Sequence, residues 1–69
     1  MEKATLNKLK GAMREKEKTY ADCAKYMNIS TSSFANKING KQKFYIDELN
    51  DLGDFLGMTG EQKATLFLP

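Results

Sequence analysis

Apolar residues recur at three- and four-residue intervals along the whole chain, and no stretch sustains an apolar–polar alternation of period two. A helix returns a side chain to the same face about every 3.6 residues, a strand every two, so this spacing predicts an all-α fold. Leu6, Leu9 and Met13 stripe a first helix over residues 4–16. Tyr20, Cys23, Ala24 and Met27 stripe a second, short one. Phe34 and Ile38 give the inward side of a third over residues 31–39, and Phe44, Ile46, Leu49, Leu52 and Leu56 mark a fourth over residues 46–56. A last helix is expected to run to residue 67. Sixty-nine residues suffice for one domain, taken as residues 1–69, with a core too small to supply more than a few kcal/mol.

The helix ends carry their own signals. Thr19 with Asp22 three residues on is a capping box with Asp in place of Glu or Gln, and Thr59 with Gln62 is the regular form. Ser30 or Thr31 is placed to cap the third helix. Asn28, Gly40 and Gly57 stand where helices close with a left-handed residue. Asp47 and Glu48 complement the positive end of the fourth helix. Residues 15–18, Glu-Lys-Glu-Lys, form a polar exit from the first and a turn.

Composition excludes several classes of function. There is no histidine, hence no Ser-His or Cys-His pair and no imidazole ligand for a metal. No glycine-rich phosphate loop or CxxC pair occurs, and no small-molecule ligand or cofactor is indicated. Asp51 and Asp54 share a helix face, as solvated acids ordinarily do. The chain is therefore not read as an enzyme. Cys23, the one cysteine, is a small core residue that cannot form an internal disulfide, and the Met and Tyr residues are core fillers. No apolar run approaches the ~18 residues of a membrane span, and the N-terminus lacks the apolar stretch of a signal peptide. A cytoplasmic protein is expected.

The net charge of +2 conceals a segregation. Residues 1–45 hold ten Lys/Arg against four Asp/Glu, a formal +6, while residues 46–69 hold one against five, a formal −4. Such a division suits a polyanion on one face, or it reflects solvated helix faces only.

The third helix bears on this choice. At about 100° per residue, Ser32 and Asn36 fall about 160° and 200° from Phe34, diametrically outward. The outer face thus carries small uncharged hydrogen-bonding groups where an idle solvated face would be rich in Glu and Lys. Residues 30–33, Ser-Thr-Ser-Ser, are poor helix formers, selected either by capping chemistry or by a ligand surface. Two short helices joined by a tight turn let one cross a phosphate backbone while the next enters the ~12 Å major groove. There Asn pairs with adenine, and Ser or Thr serves as donor or acceptor.

Residues 19–40, TYADCAKYMNISTSSFANKING, resemble the helix-turn-helix of lambda-type phage repressors and Cro proteins. The resemblance rests on Ala24 between the helices, Ile29 in the turn, Phe34 and Ile38 inside, and Asn39-Gly40 at the helix end. Five helices and a basic loop before Phe44 extend it over nearly the whole chain. The FANKINGKQKF stretch is most similar to Cro-like proteins of Gram-positive phages. There are three departures: Asn28 where glycine is commonest, Lys37 where an apolar residue is usual, and Tyr45 where Ser or Thr caps the fourth helix. At Lys37 the expectation is a looser core edge or a side chain that snorkels outward.

The resemblance implies a compact five-helix lambda repressor-like domain with its helix-turn-helix at residues 19–39. It implies base contacts from Thr31, Ser32 and Asn36, with Ala35 against a thymine methyl. Tyr20 falls at a backbone-contacting position, and Lys41 and Lys43 at phosphate-contacting ones. Lys10, Arg14 and Lys18 join the phosphate set mainly on charge. The expected function is a double-stranded DNA-binding transcriptional regulator that occupies a palindromic operator as a homodimer and represses. The brevity of the chain favours a Cro-like regulator over a full-length repressor. The acidic C-terminal part and residues 66–68, Leu-Phe-Leu, are the candidate dimer surface. The alternative is a helix-turn-helix that binds a polypeptide, as in an antitoxin or an anti-repressor.

Overall fold

The computed structural model describes residues 3–66. Five helices follow one another: α1 (Lys3–Glu15), α2 (Tyr20–Met27), α3 (Thr31–Ile38), α4 (Ile46–Phe55) and α5 (Gly60–Thr65), with no strand among the described residues. The expected all-α class holds, with bounds within a residue for the first, third and fourth helices. The fifth closes at Thr65, and residue 67 lies outside the described residues.

Local chemistry sets the boundaries. The Thr19 hydroxyl accepts from the Asp22 N–H at 3.1 Å while the Asp22 carboxylate accepts from the Thr19 N–H at 2.9 Å. That backbone bond, then the Thr19 hydroxyl, holds the Asp22 carboxyl below its ordinary value, with Lys18 and Lys25 adding to the effect. Ser30, not Thr31, caps α3, accepting from the Ser33 N–H at 3.0 Å. Thr59 and Gln62 form the second reciprocal box. At α4 the Tyr45 side chain makes no cap; the Glu48 carboxylate accepts from the Tyr45 N–H at 3.0 Å, so half a box does the work.

Asn28 closes α2 in the left-handed region, φ 59°, and the next amide, Ile29, reaches the Ala24 carbonyl at 3.0 Å. Glu17 does the same after α1 at φ 56°, with the Lys18 N–H bonded to the Met13 carbonyl at 2.9 Å. The polar run of residues 15–18 marks a turn here, and the turn is present, but the sequence does not single out its left-handed residue.

One core joins the first four helices and takes in Leu66, just after α5. Leu6, Leu9 and Met13 of α1 meet Cys23 and Ala24 of α2, Phe34 and Ile38 of α3, Leu49 and Leu52 of α4, and Leu56 at its C-cap. Phe44 and Leu66 complete it, while Tyr20, Met27 and Ile29 pack partly buried around it. Three expectations are corrected. Ile46 is 71% exposed: Phe44, just before α4, plugs that end of the core and leaves Ile46 beyond its rim. Tyr26 and Tyr45 are surface residues rather than fillers, and Tyr26 stacks on Phe55 at 4.5 Å. Leu66, expected on a dimer surface, is buried at 2% exposure, and its carbonyl accepts from the Thr5 hydroxyl at 2.7 Å. Phe67 and Leu68 lie outside the described residues.

Gly53, unremarked in the sequence, is buried inside α4 under the stem of Lys63, where an added Cβ would come within 2.8 Å of the lysine Cδ. The Lys63 ammonium reaches Asp54 and Asn50. No helix among the described residues is long and apolar enough to cross a membrane.

Candidate nucleic-acid interface

The α2–turn–α3 unit is rigid because its inner side chains have a fixed place. Phe34 is wholly buried and meets Tyr20 edge-on at 5.5 Å and Phe44 at 6.3 Å, so α3 is keyed both to the start of α2 and to the loop that follows α3. Ile38, one turn on, is also wholly buried. With the inward stripe occupied, the outward stripe is free: Thr31 and Ser32 are exposed, Ala35 and Asn36 partly so.

The serine-threonine run divides in two. Ser30 and Ser33 are consumed by capping, their hydroxyls 3.0 Å apart, which meets the capping alternative for these two residues. Thr31 and Ser32 make no such bond and stand on the open side of the first turn, beside Asn36.

Cations gather at two places around this unit. Lys10, Arg14, Lys18 and Tyr20 surround one hollow of about 260 Å³ floored by Met13, where the end of α1 meets the start of α2. Four residues chosen separately from the sequence are thus brought together, two from α1 and two from the α2 junction. Lys18 is shared, its ammonium also lying 5.2 Å from the centre of the Phe55 ring. Lys41 and Lys43 are exposed in the loop after α3. That loop hangs from the end of α3: the Asn36 carbonyl accepts from Lys41 at 2.8 Å and from Gln42 at 3.2 Å, past Gly40 at φ 79°.

These elements are a helix with a free polar face, a cationic hollow and a cationic loop, the kinds of group that contact bases and phosphates of a duplex. The model of the Cro/C1-type HTH DNA-binding domain matches residues 4–62. The chain belongs to that family. This Cro/C1-type domain is accordingly a DNA-binding helix-turn-helix, and the match takes in α1 to α4, the start of α5 and every candidate residue of the interface. No match to the chain is found among curated proteins or among solved structures.

Two residues join the Cro/C1-type domain's basic loop that the sequence had marked only as departures. Lys37, where an apolar residue is usual, neither loosens the core nor reaches open solvent. Its side chain is 13% exposed and its ammonium pairs with Glu48 at 3.1 Å. Tyr45 offers an exposed ring to two lysines, with the Lys43 ammonium 5.0 Å and the Lys37 ammonium 5.6 Å from its centre. A tyrosine between Phe44 and the helix start was the available signal. Cys23 plays no part at this surface: burial, with Asp22 adding, pushes its thiol up to about 11, so it stays protonated and inert at neutral pH.

Proposed function

We propose that this domain is a Cro-type transcriptional regulator, of the kind found in Gram-positive phages, which reads a palindromic operator as a homodimer and blocks transcription by covering the promoter. The observation that carries this is the two-sidedness of α3. Phe34 and Ile38 are wholly buried on one side, while Thr31 and Ser32 are exposed and Asn36 partly exposed on the other. In this reading Ser32 and Asn36 enter the major groove with Thr31, Ala35 approaches a thymine methyl, and the loop and hollow hold the two flanking backbones. One such helix covers only a few base pairs. Two copies on half-sites ~34 Å apart, related by a two-fold axis, supply the remaining specificity. The protein acts as a single domain, in the cytoplasm, without a cofactor.

The deciding experiment is a titration against random-sequence duplex over a range of salt, followed by selection of bound fragments from a random pool. The expected result is a log–log salt slope of about −0.9 per phosphate neutralised, and selected fragments with two-fold symmetry. Binding that ignores salt, or none, would replace this reading with that of a polypeptide-binding module.

A further inference from the structure

Resting on that reading, we infer that Lys37 is a positioning residue for DNA binding, locking the loop of residues 41–45 to α3 so that the Lys43 ammonium stands at a fixed offset from the base-reading face. The Lys37 ammonium donates to the Lys43 carbonyl at 3.0 Å and to Glu48 Oε1 at 3.1 Å. That same carboxylate oxygen accepts from the Tyr45 N–H at 3.0 Å. One side chain of α3 is thereby tied to both ends of the segment 43–45 and to the first turn of α4. The neighbouring Asn36 carbonyl holds the Lys41 and Gln42 amides from the other side.

With a side chain only 13% exposed and its charge taken up by Glu48, Lys37 is poorly placed to neutralise a phosphate itself. Its effect passes through the loop. A phosphate contact from a free loop would carry the entropy cost of ordering that loop on binding, and a loop already fastened avoids most of it. The usual apolar residue at this position would fill the same space but leave the Lys43 carbonyl and Glu48 without this link. The Tyr45 ring, between the Lys37 and Lys43 ammoniums, completes the fastening.

The test removes the link without changing net charge. The paired variant Lys37→Met with Glu48→Gln is titrated against random-sequence duplex, alone and in a Lys43→Ala background. Alone it should weaken binding about tenfold and flatten the salt slope by about 0.9, one phosphate's worth. In the Lys43→Ala background the same pair should cost less than about twofold, because the group it positions is gone. Equal losses in both backgrounds, or no loss in either, overturn the inference. Amide exchange of the free protein provides a readout that needs no DNA. The pair should speed exchange at Tyr45 while leaving Met27 at its wild-type rate, and unchanged exchange at Tyr45 likewise overturns the lock. If the pair does not fold, Glu48→Gln alone is put through both measurements. Wild-type protein that ignores duplex at every salt concentration removes the regulator reading instead, and the exchange result still decides the lock.

Discussion

Tyr20 and Phe34 meet edge to face across the seam of α2 and α3, their ring centroids 5.5 Å apart. The contact joins a side chain at the rim of the cationic hollow to the innermost residue of α3, so the core and the binding face share a wall. Phe34→Ala should therefore cost about 3–5 kcal/mol by chemical denaturation, most of the stability of so small a domain. A loss below about 1 kcal/mol would mean that Phe34 is not the keystone of the unit.

Asn36 contributes its carbonyl to the loop, while its partly exposed side chain is the one proposed to read a base. Asn36→Ala keeps the first role and deletes the second. On the selected operator it should lose about 1–3 kcal/mol, with random duplex bound nearly as before. Equal losses on both DNAs would remove Asn36 from the base-reading set.

The hollow of Lys10, Arg14 and Lys18 gives a contrast within one protein. Arg14→Ala should reduce the salt slope by about 0.9 and weaken all sequences alike. Lys63→Ala removes the same unit of charge, but that ammonium is bound to Asp54 and Asn50 on the α4–α5 side and should leave the slope unchanged. Matching slope changes in the two variants would show that bulk charge, not the hollow, attracts the duplex.

Two side chains that rarely adopt a left-handed backbone do so here, Glu17 at φ 56° and Asn28 at φ 59°. Asparagine tolerates that region and glutamate does not. Glu17→Gly should raise stability by about 0.5–1 kcal/mol, seen as a higher Tm, whereas Asn28→Gly should be close to neutral. A fall in Tm for Glu17→Gly would contradict the turn that closes α1.

The Cys23 thiol, raised to about 11 from an ordinary 9.0, makes two linked predictions. At neutral pH a thiol reagent should modify the native protein slowly and the denatured protein at once. Since the folded state disfavours the thiolate, its contribution is intact below pH 9 and falls away as pH climbs toward 11. Rapid labelling of native protein at neutral pH would show that the thiol is neither buried nor protonated.

Much of this was legible in the sequence, for a physical reason. Caps such as Thr19 with Asp22, and stripes such as Phe34 with Ile38, follow from positions three and four apart, and spacing alone fixes them. Pairings between helices do not follow from spacing. Lys37 with Glu48, Tyr26 on Phe55 and the buried Leu66 depend on how helices cross, and Glu17 turns left-handed only because the bonds around it require it. The cationic hollow was legible residue by residue but not as one place, since α1 and the start of α2 had first to be brought together.

The bond from the Thr5 hydroxyl to the Leu66 carbonyl spans almost the entire described chain. A nascent polypeptide can therefore make the α2–α3 unit long before it can seal the domain, because the far partner of Thr5 lies 61 residues further along the chain. Until then the Thr5 hydroxyl, buried in the finished fold, lacks its partner, and an unfinished copy is open to proteases at that seam.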